Sequence, residues 1–253
     1  MRHFIIPARG GSKTVPDKNL QQVGGHTLLR WTVECARAVA NREAGDQVVV
    51  NTDDDKIADI ASGFAVEVYR RPAHLGSDHA TMLDVVKNHV KDREAIDDVV
   101  LLYPTCPFRR PETLRTALSI YEARRPHVGG GSLMSVVECK SRPYGGVQII
   151  DGGLGYAQEA EAFYRKQDTP PLYYATGAIF IMGRHAIPNL NNQLFGKDTI
   201  PFVMGAFEGL DIDTESDLAM ARALAQADLT WRPAINEQKL AASDFNTQGM
   251  RFA

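Results

Sequence analysis

The sequence predicts an α/β protein built on a doubly wound, mostly parallel sheet, and three observations carry that prediction. Short apolar runs at 3–6, 47–51, 65–69 and 98–103 alternate with amphipathic stretches at 28–40, 55–62, 80–91 and 112–124. Such alternation folds into parallel strands joined by right-handed crossovers. The run Val99-Val100-Leu101-Leu102 has no polar face, which suits a strand covered by helices on both sides. Helix-start signals fall where the alternation needs them: Pro111 opens the fourth helix, and Thr214-Glu215-Ser216-Asp217 is a capping-box pattern.

Taken in order, the chain enters its first strand at His3–Ile6. The helix over 28–40 buries a stripe of Leu28, Thr32, Cys35, Ala36 and Val39. One of Asp53, Asp54 and Asp55 caps the helix that follows the second strand. A strand over 132–137 precedes Val147–Ile150, the turn Asp151-Gly152-Gly153 and Leu154–Tyr156, which read as a hairpin. Residues 138–172 are therefore expected to form an inserted arm. The main sheet resumes at 175–182 and 200–204, a helix spans 215–227, and 231–253 is a polar tail. The expected organisation is one domain over 1–230, interrupted by the arm, plus that tail.

Composition narrows the functional classes. The 253 residues carry a net charge of −3 with both signs mixed along the chain, unlike the basic face of a nucleic-acid binder. No apolar run approaches the roughly 20 residues of a membrane span, and the amino terminus shows no signal-peptide pattern. Three cysteines, far apart and odd in number, fit reduced thiols in a cytoplasm. The seven histidines form no His-x-His or His-x-x-x-His pair, so a zinc site is not expected.

Three segments carry candidate chemistry. The first is Arg9-Gly10-Gly11-Ser12-Lys13, followed by Lys18 and Asn19, leaving the carboxyl end of the first strand. Ligands bind at such ends in open parallel sheets. Paired glycines let backbone N–H groups approach phosphate oxygens, and Arg9, Lys13 and Lys18 supply the charge a triphosphate needs. The alternative is a solvated turn. The second is Leu210-Asp211-Ile212-Asp213-Thr214. If it is a strand, Asp211 and Asp213 share one face and Ile212 faces the core. Two adjacent carboxylates call for a cation such as Mg²⁺; the alternative is that Asp213 serves the amino terminus of the next helix. The third is Tyr103-Pro104-Thr105-Cys106-Pro107-Phe108-Arg109, a rigid loop at the end of the buried fourth strand. Cys106 has no partner histidine nearby in sequence and is read as packing.

Together these motifs resemble the acylneuraminate cytidylyltransferases, over about the first 225 residues. The carriers are "IPARGGSK" with "PDKNL", "VVVNTDDDKIADIA", "RPAHLGSDHAT", "LLYPTCPFR", "RKQDTPPLYYATGAIFI" and "DIDTESDLAMA". The resemblance implies a Rossmann-like nucleotidyltransferase fold with a dimerisation arm, hence a homodimer. It also implies CTP as donor, Mg²⁺ as cofactor, a 2-keto-3-deoxy sugar acid as acceptor and pyrophosphate as second product. It implies that Arg9 to Lys18 hold the triphosphate, that Asn19, Arg71 and Ala80 lie near the cytidine, and that Asp211 and Asp213 bind the metal. Arg9, Lys18, Asp211 and Asp213 are then the catalytic set, with Gly10, Gly11, Ser12 and Lys13 completing the nucleotide loop. Tyr103, Thr105, Lys166, Gln167, Thr176 and Gly177 are implied for the sugar subsite.

Three positions depart from the family pattern, all on the acceptor side: Tyr103 where glutamine is frequent, Thr176 where asparagine is frequent, and Lys166 where arginine is common. They predict an acceptor other than N-acetylneuraminate, of legionaminate, pseudaminate or amino-octulosonate type. The first rival reading is another nucleotidyltransferase, such as one for an octulosonic acid, or a nucleotide-sugar glycosyltransferase, for which the basic loop is not required; the second is a non-catalytic nucleotide-binding module, for which the aspartates are not.

Overall fold

The computed structural model describes residues 1–125, 131–139, 147–150, 153–156 and 171–227. One half of its main sheet is formed by β1 (Arg2–Pro7), β4 (Gln47–Thr52), β5 (Glu67–Arg70) and β6 (Asp98–Leu101). A two-strand ribbon of β2 (Gln22–Val23) and β3 (His26–Thr27) stands apart from them. The main sheet is completed by β7 (Ser132–Glu138), β10 (Tyr173–Gly183) and β11 (Thr199–Met204), in the spatial order β11-β7-β10-β6-β1-β4-β5. Every neighbouring pair is parallel except the two that involve β10, which runs antiparallel to both β6 and β7. The doubly wound, mostly parallel expectation therefore holds.

Side-chain alternation divides the strands between two cores. Phe4, Ile6, Val50 and Val100 face α1 (Leu28–Val39), α2 (Asp55–Ser62) and α4 (Pro111–Arg124). Ile5, Val99 and Leu101 face α3 (Met82–Val90) and the segment from Ile187 to Leu194. The run Val99–Leu102 is thus buried on both faces, as read. A third, smaller cluster joins Val15, Val23, Leu28 and Ile212 to Leu218 and Ala221 of α5 (Glu215–Gln226).

Local chemistry sets the helix ends. Asp54 caps α2 through Ile57 N–H at 2.8 Å, which identifies the capping aspartate of the three. Thr81 with Asp84 and Thr214 with Asp217 form capping boxes. The third helix therefore starts at Met82, with Thr81 as its cap, and not at residue 80. The third strand begins at Glu67 because Ala65 adopts a left-handed φ of 54°, which no strand can carry.

Two expectations are corrected. The segment Leu210–Thr214 is an extended loop, not a strand: Ile212 N–H donates to Thr105 O at 2.9 Å, and Asp213 N–H donates to the Asp217 carboxylate at 3.1 Å. Of these two donors only Ile212 N–H meets a backbone carbonyl, so the segment makes no run of ladder bonds. Ile212 does turn into the core, as expected. The hairpin β8 (Val147–Ile150) and β9 (Gly153–Tyr156) pairs Ile150 with Gly153, so the connection is Asp151 and Gly152, one residue tighter than read. Most of 138–172 and all of 231–253 lie outside the described residues.

Candidate active site

Because β4 and β5 lie on one side of β1 and β6 on the other, the strand order reverses between β1 and β6. That is where doubly wound sheets open a crevice at their carboxyl ends. A cleft of about 260 Å³ opens there, lined by Pro7, Arg9, Ser12, Lys13, Thr14, Lys18, Asn19, Arg71, Met82, Tyr103, Pro104 and Thr105. One wall is thus the loop after β1 and the other the loop after β6.

The loop after β1 is shaped by close approach. A Cβ on Gly10 would lie 2.5 Å from Asp54 Oδ2, and Gly11 sits at φ 66°, so side chains are excluded at the first and disfavoured at the second. Asn19, buried, donates to Arg9 O at 3.0 Å and holds the loop from below. Arg9 and Lys13 both reach Asp78, at 2.9 and 2.6 Å. Lys18 reaches the carboxylate of Asp213 at 3.1 Å and its carbonyl at 3.2 Å. Arg71 is buried, donates to Asn51 O at 2.6 Å and lies 3.9 Å from Asp53. Burial pushes its guanidinium below the ordinary value, and Asp53 opposes that shift. Ala80 lines a neighbouring depression with Ser77 and His79, beside Asp78 and not in the cleft.

The opposite wall is built by strand pairing. Between Ala175 and Phe180 the register of β10 against β7 shifts, leaving Thr176 to Ile179 as a bulge opposite Ser135. The Ser135 hydroxyl holds the bulge, 2.9 Å from Thr176 Oγ1 and accepting from Ile179 N–H at 2.9 Å. Gly177 is thereby pressed onto Tyr103: its carbonyl accepts from Tyr103 N–H at 3.0 Å, and a Cβ there would lie 2.4 Å from the Tyr103 ring. Tyr103 packs on Phe180 with ring centres 5.4 Å apart and lines the cleft. Burial raises its phenol pKa, and Asp211 raises it further.

The segment from Asp211 to Asp213 joins the two walls, Asp213 meeting Lys18 on the first and Asp211 lying against the second. The Asp211 carboxylate takes hydrogen bonds from the Thr105 side chain and the Gly177 backbone, yet burial dominates and raises its pKa, with Asp213 adding to the rise after the Thr105 contact has opposed it. Its Oδ1 is buried with no hydrogen-bond partner, and such an orphaned acceptor calls for a cation or donor. The Asp213 carboxylate turns to Lys18 and does not cap α5, so the two carboxylates feel each other at the edge of the cleft without lining it. Among the described residues no three His, Cys, Asp or Glu side chains cluster as a metal cage. A cation held here would rest on the aspartate pair and on substrate oxygens, the donor set Mg²⁺ uses.

The structure brings Arg9, Ser12, Lys13, Lys18, Asn19, Arg71, Tyr103 and Thr105 to one cleft. Thr176 is not brought there: its hydroxyl is buried against Ser135, so its exchange for asparagine does not strip a donor from the cleft surface. Lys166 and Gln167 lie outside the described residues. Cys106 is fully buried and burial raises its thiol well above the ordinary value, in keeping with packing. Asp78 and Ser135 were missed. Asp78 stands inside "RPAHLGSDHAT", but nothing local in sequence points it at Arg9; Gly177 within an apolar strand was the available signal of a bulge.

Comparison with known proteins agrees with this geometry. A family model described as "Cytidylyltransferase" matches residues 3–239. An N-acylneuraminate cytidylyltransferase of Streptococcus agalactiae is 31% identical over 84% of this chain and 50% of its own length, so the chain spans about half of that relative. A CMP-N,N'-diacetyllegionaminic acid synthase of Legionella pneumophila is 31% identical over 88% of this chain and 95% of its own length. The fold matches that of a CMP:2-keto-3-deoxy-manno-octonic acid synthetase solved with CTP, with a TM-score of 0.63 and 19% identity over 90% of this chain and 99% of that one. The family-model match over residues 3–239 and the relative 31% identical over 88% of this chain place this chain in the cytidylyltransferase family.

Proposed function

We propose that this chain is an enzyme that transfers CMP from CTP to the anomeric hydroxyl of a 2-keto-3-deoxy sugar acid of the sialic or legionaminic class, releasing pyrophosphate. The observation that carries the reading is the pairing of walls: Arg9, Lys13 and Lys18 on one loop, and Asp213 beside Lys18 with Asp211 behind Thr105. A glycosyltransferase needs no seat for a triphosphate, and a passive nucleotide binder needs no buried carboxylate with an orphaned oxygen.

The chain's residues divide the work. Arg9, Lys13 and Lys18 hold the β and γ phosphates and stabilise charge as the bond from the α-phosphorus to the bridging oxygen breaks. Gly10 and Gly11 let the backbone approach those oxygens. Tyr103 and Thr105 orient the sugar acid so that its anomeric oxygen attacks the α-phosphorus in line, and its proton leaves to a carboxylate of the pair or to solvent. Asp211 and Asp213 would hold Mg²⁺, which supplies Lewis-acid polarisation of the α-phosphate.

The Tyr103 ring in the cleft favours an acceptor that presents an apolar group there, such as the methyl of a deoxy carbon or an acetamido group. The acceptor side rests on Tyr103 with Lys166; Thr176 no longer supports it. The arm at 138–172 is the expected dimer contact, supported by Ile149 at 79% exposure and by exposed Leu172, Tyr173 and Tyr174 at its base. Cytoplasmic location belongs to the same reading; among the described residues no helix is long and apolar enough to cross a membrane.

Pyrophosphate release from purified protein with CTP, Mg²⁺ and a panel of sialic, legionaminic, pseudaminic and octulosonic acids is the test. Release that needs both CTP and a sugar acid supports the reading, and no release with any acid ends it. A clear kcat/KM preference for N-acetylneuraminate would overturn the role given to Tyr103. A mass of 27.9 kDa by light scattering, that of one chain, would remove the dimer.

A further inference from the structure

Each of the three loop cations is opposed by a carboxylate, and a single residue, Asp78, opposes two of them. Asp78, between Gly76 and α3, sets one carboxylate oxygen 2.9 Å from Arg9 Nη1 and the other 2.6 Å from Lys13 Nζ. The two oxygens take one cation each, as two oxygens of a phosphate group would. Hydrogen bonding to Lys13, then to Arg9, holds the Asp78 carboxyl below its ordinary range. The side chain is 46% exposed and belongs to none of the three core clusters, and ion pairs so exposed add little to stability. Its position therefore calls for a role other than holding the fold together.

We propose that Asp78 is a resident competitor for the triphosphate seat, a reading that rests on the function proposed above. It keeps Arg9 and Lys13 aimed at one point before nucleotide arrives, and incoming β and γ phosphates displace it from both. Its negative charge then stands beside the pyrophosphate formed in the reaction and favours its departure. Asp78 is a positioning residue: it sets how tightly polyphosphates are held without touching the reacting atoms.

The test is calorimetric titration of pyrophosphate, CTP and CMP into the wild type, Asp78→Asn, Asp78→Glu and Arg9→Ala. Asp78→Asn should bind pyrophosphate and CTP about five- to tenfold more tightly, the combined scale of two exposed ion pairs, with CMP unchanged. Turnover in the same variant should become more sensitive to product inhibition by pyrophosphate. Asp78→Glu, which keeps the carboxylate, should stay near wild type. Unchanged or weaker pyrophosphate binding in Asp78→Asn, alongside a selective loss of pyrophosphate in Arg9→Ala, overturns the competitor and leaves the triphosphate loop standing. Equal losses of pyrophosphate and CMP in Arg9→Ala overturn the loop reading and the competitor with it. Melting curves establish that each variant is folded before titration.

Discussion

The two walls of the cleft are made in different ways. The loop after β1 presents two exposed or half-exposed cations, Arg9 and Lys13, paired to Asp78, and a mostly buried one, Lys18, paired to Asp213. The wall formed by Tyr103, Thr105 and Gly177 is continuous with the core: Tyr103 packs on Phe180, Gly177 on Tyr103, and Asp211 is largely buried behind them. Charges in water can change with little effect on folding, whereas a packed wall transmits every change in volume. Nucleotide affinity should thus be adjustable independently of stability, and acceptor recognition should not.

The largest effect expected is at the junction of the walls. Asp211→Asn should lower kcat by roughly 10²- to 10³-fold, as losing a group that stabilises transition-state charge does, with a melting temperature close to wild type. Near-normal turnover at limiting Mg²⁺ would remove Asp211 from the metal site and leave the two walls without a common element. Next come the cations. Arg9→Ala and Lys18→Ala should each raise the Kd for CTP by about 10- to 100-fold, the range of a lost charge-assisted contact, with CMP much less affected and, for the half-exposed Arg9, the melting curve unmoved. A drop in melting temperature that matches the affinity loss would break the contrast between the walls.

On the packed wall the order reverses. Gly177→Ala sets a methyl 2.4 Å from the Tyr103 ring and should cost about 1–3 kcal/mol of stability, the usual range for overpacking. Urea midpoints should show this, and in a Tyr103→Ala background the same Gly177→Ala step should cost much less. If the step costs as much there as in the wild type, the ring contact is not the source.

The smallest effect lies at the opposite end of β1. His3 Nδ1 is 3.1 Å from His89 Nε2, and Arg93 Nη1 is 2.8 Å from that nitrogen and 3.1 Å from Nδ1 of the same ring. Arginine only donates, so His89 receives it as a neutral ring. Burial, then Arg93, then His3 lower the pKa of His89 to about 3, and burial followed by Arg93 lowers that of His3. Glu67, paired to Arg93, opposes the shift of His3. A histidine depressed on folding binds fewer protons in the native than in the unfolded state. Its stabilising contribution is therefore complete above about 6.5 and is lost as pH falls from there toward about 3. Urea midpoints should fall between about pH 7.5 and pH 5, and His89→Gln should flatten that slope. An unchanged slope would assign the acid sensitivity to another group.

The same contrast explains what could be read in the sequence. The nucleotide loop was legible because its glycines and cations are contiguous and leave a recognisable strand. The capping boxes and the two-faced burial of Val99–Leu102 were legible for the same local reason. The aspartate pair was legible as residues but not as conformation, since the donors of Ile212 and Asp213 are taken by Thr105 and Asp217. The reversed direction of β10, the Ser135 anchor and the inward turn of Thr176 were not legible, because each is decided by which strands become neighbours. Asp78 was in view, but its partners sit in a loop 69 positions earlier in the case of Arg9.

The reversal of β10 has a consequence for how this protein can vary. Glu138 at the end of β7 pairs with Tyr173 at the start of β10, and Cys139 N–H donates to Leu172 O at 2.8 Å. The excursion between them leaves and re-enters the sheet at a single rung, so the sheet itself fastens its two ends together. With those ends fixed, lengthening or replacing the excursion adds only a slowly growing closure entropy and does not alter the register that positions Gly177 and Tyr103. Such a rung is a grafting point, at which whole segments from relatives could be exchanged while the nucleotide side of the cleft stays as it is.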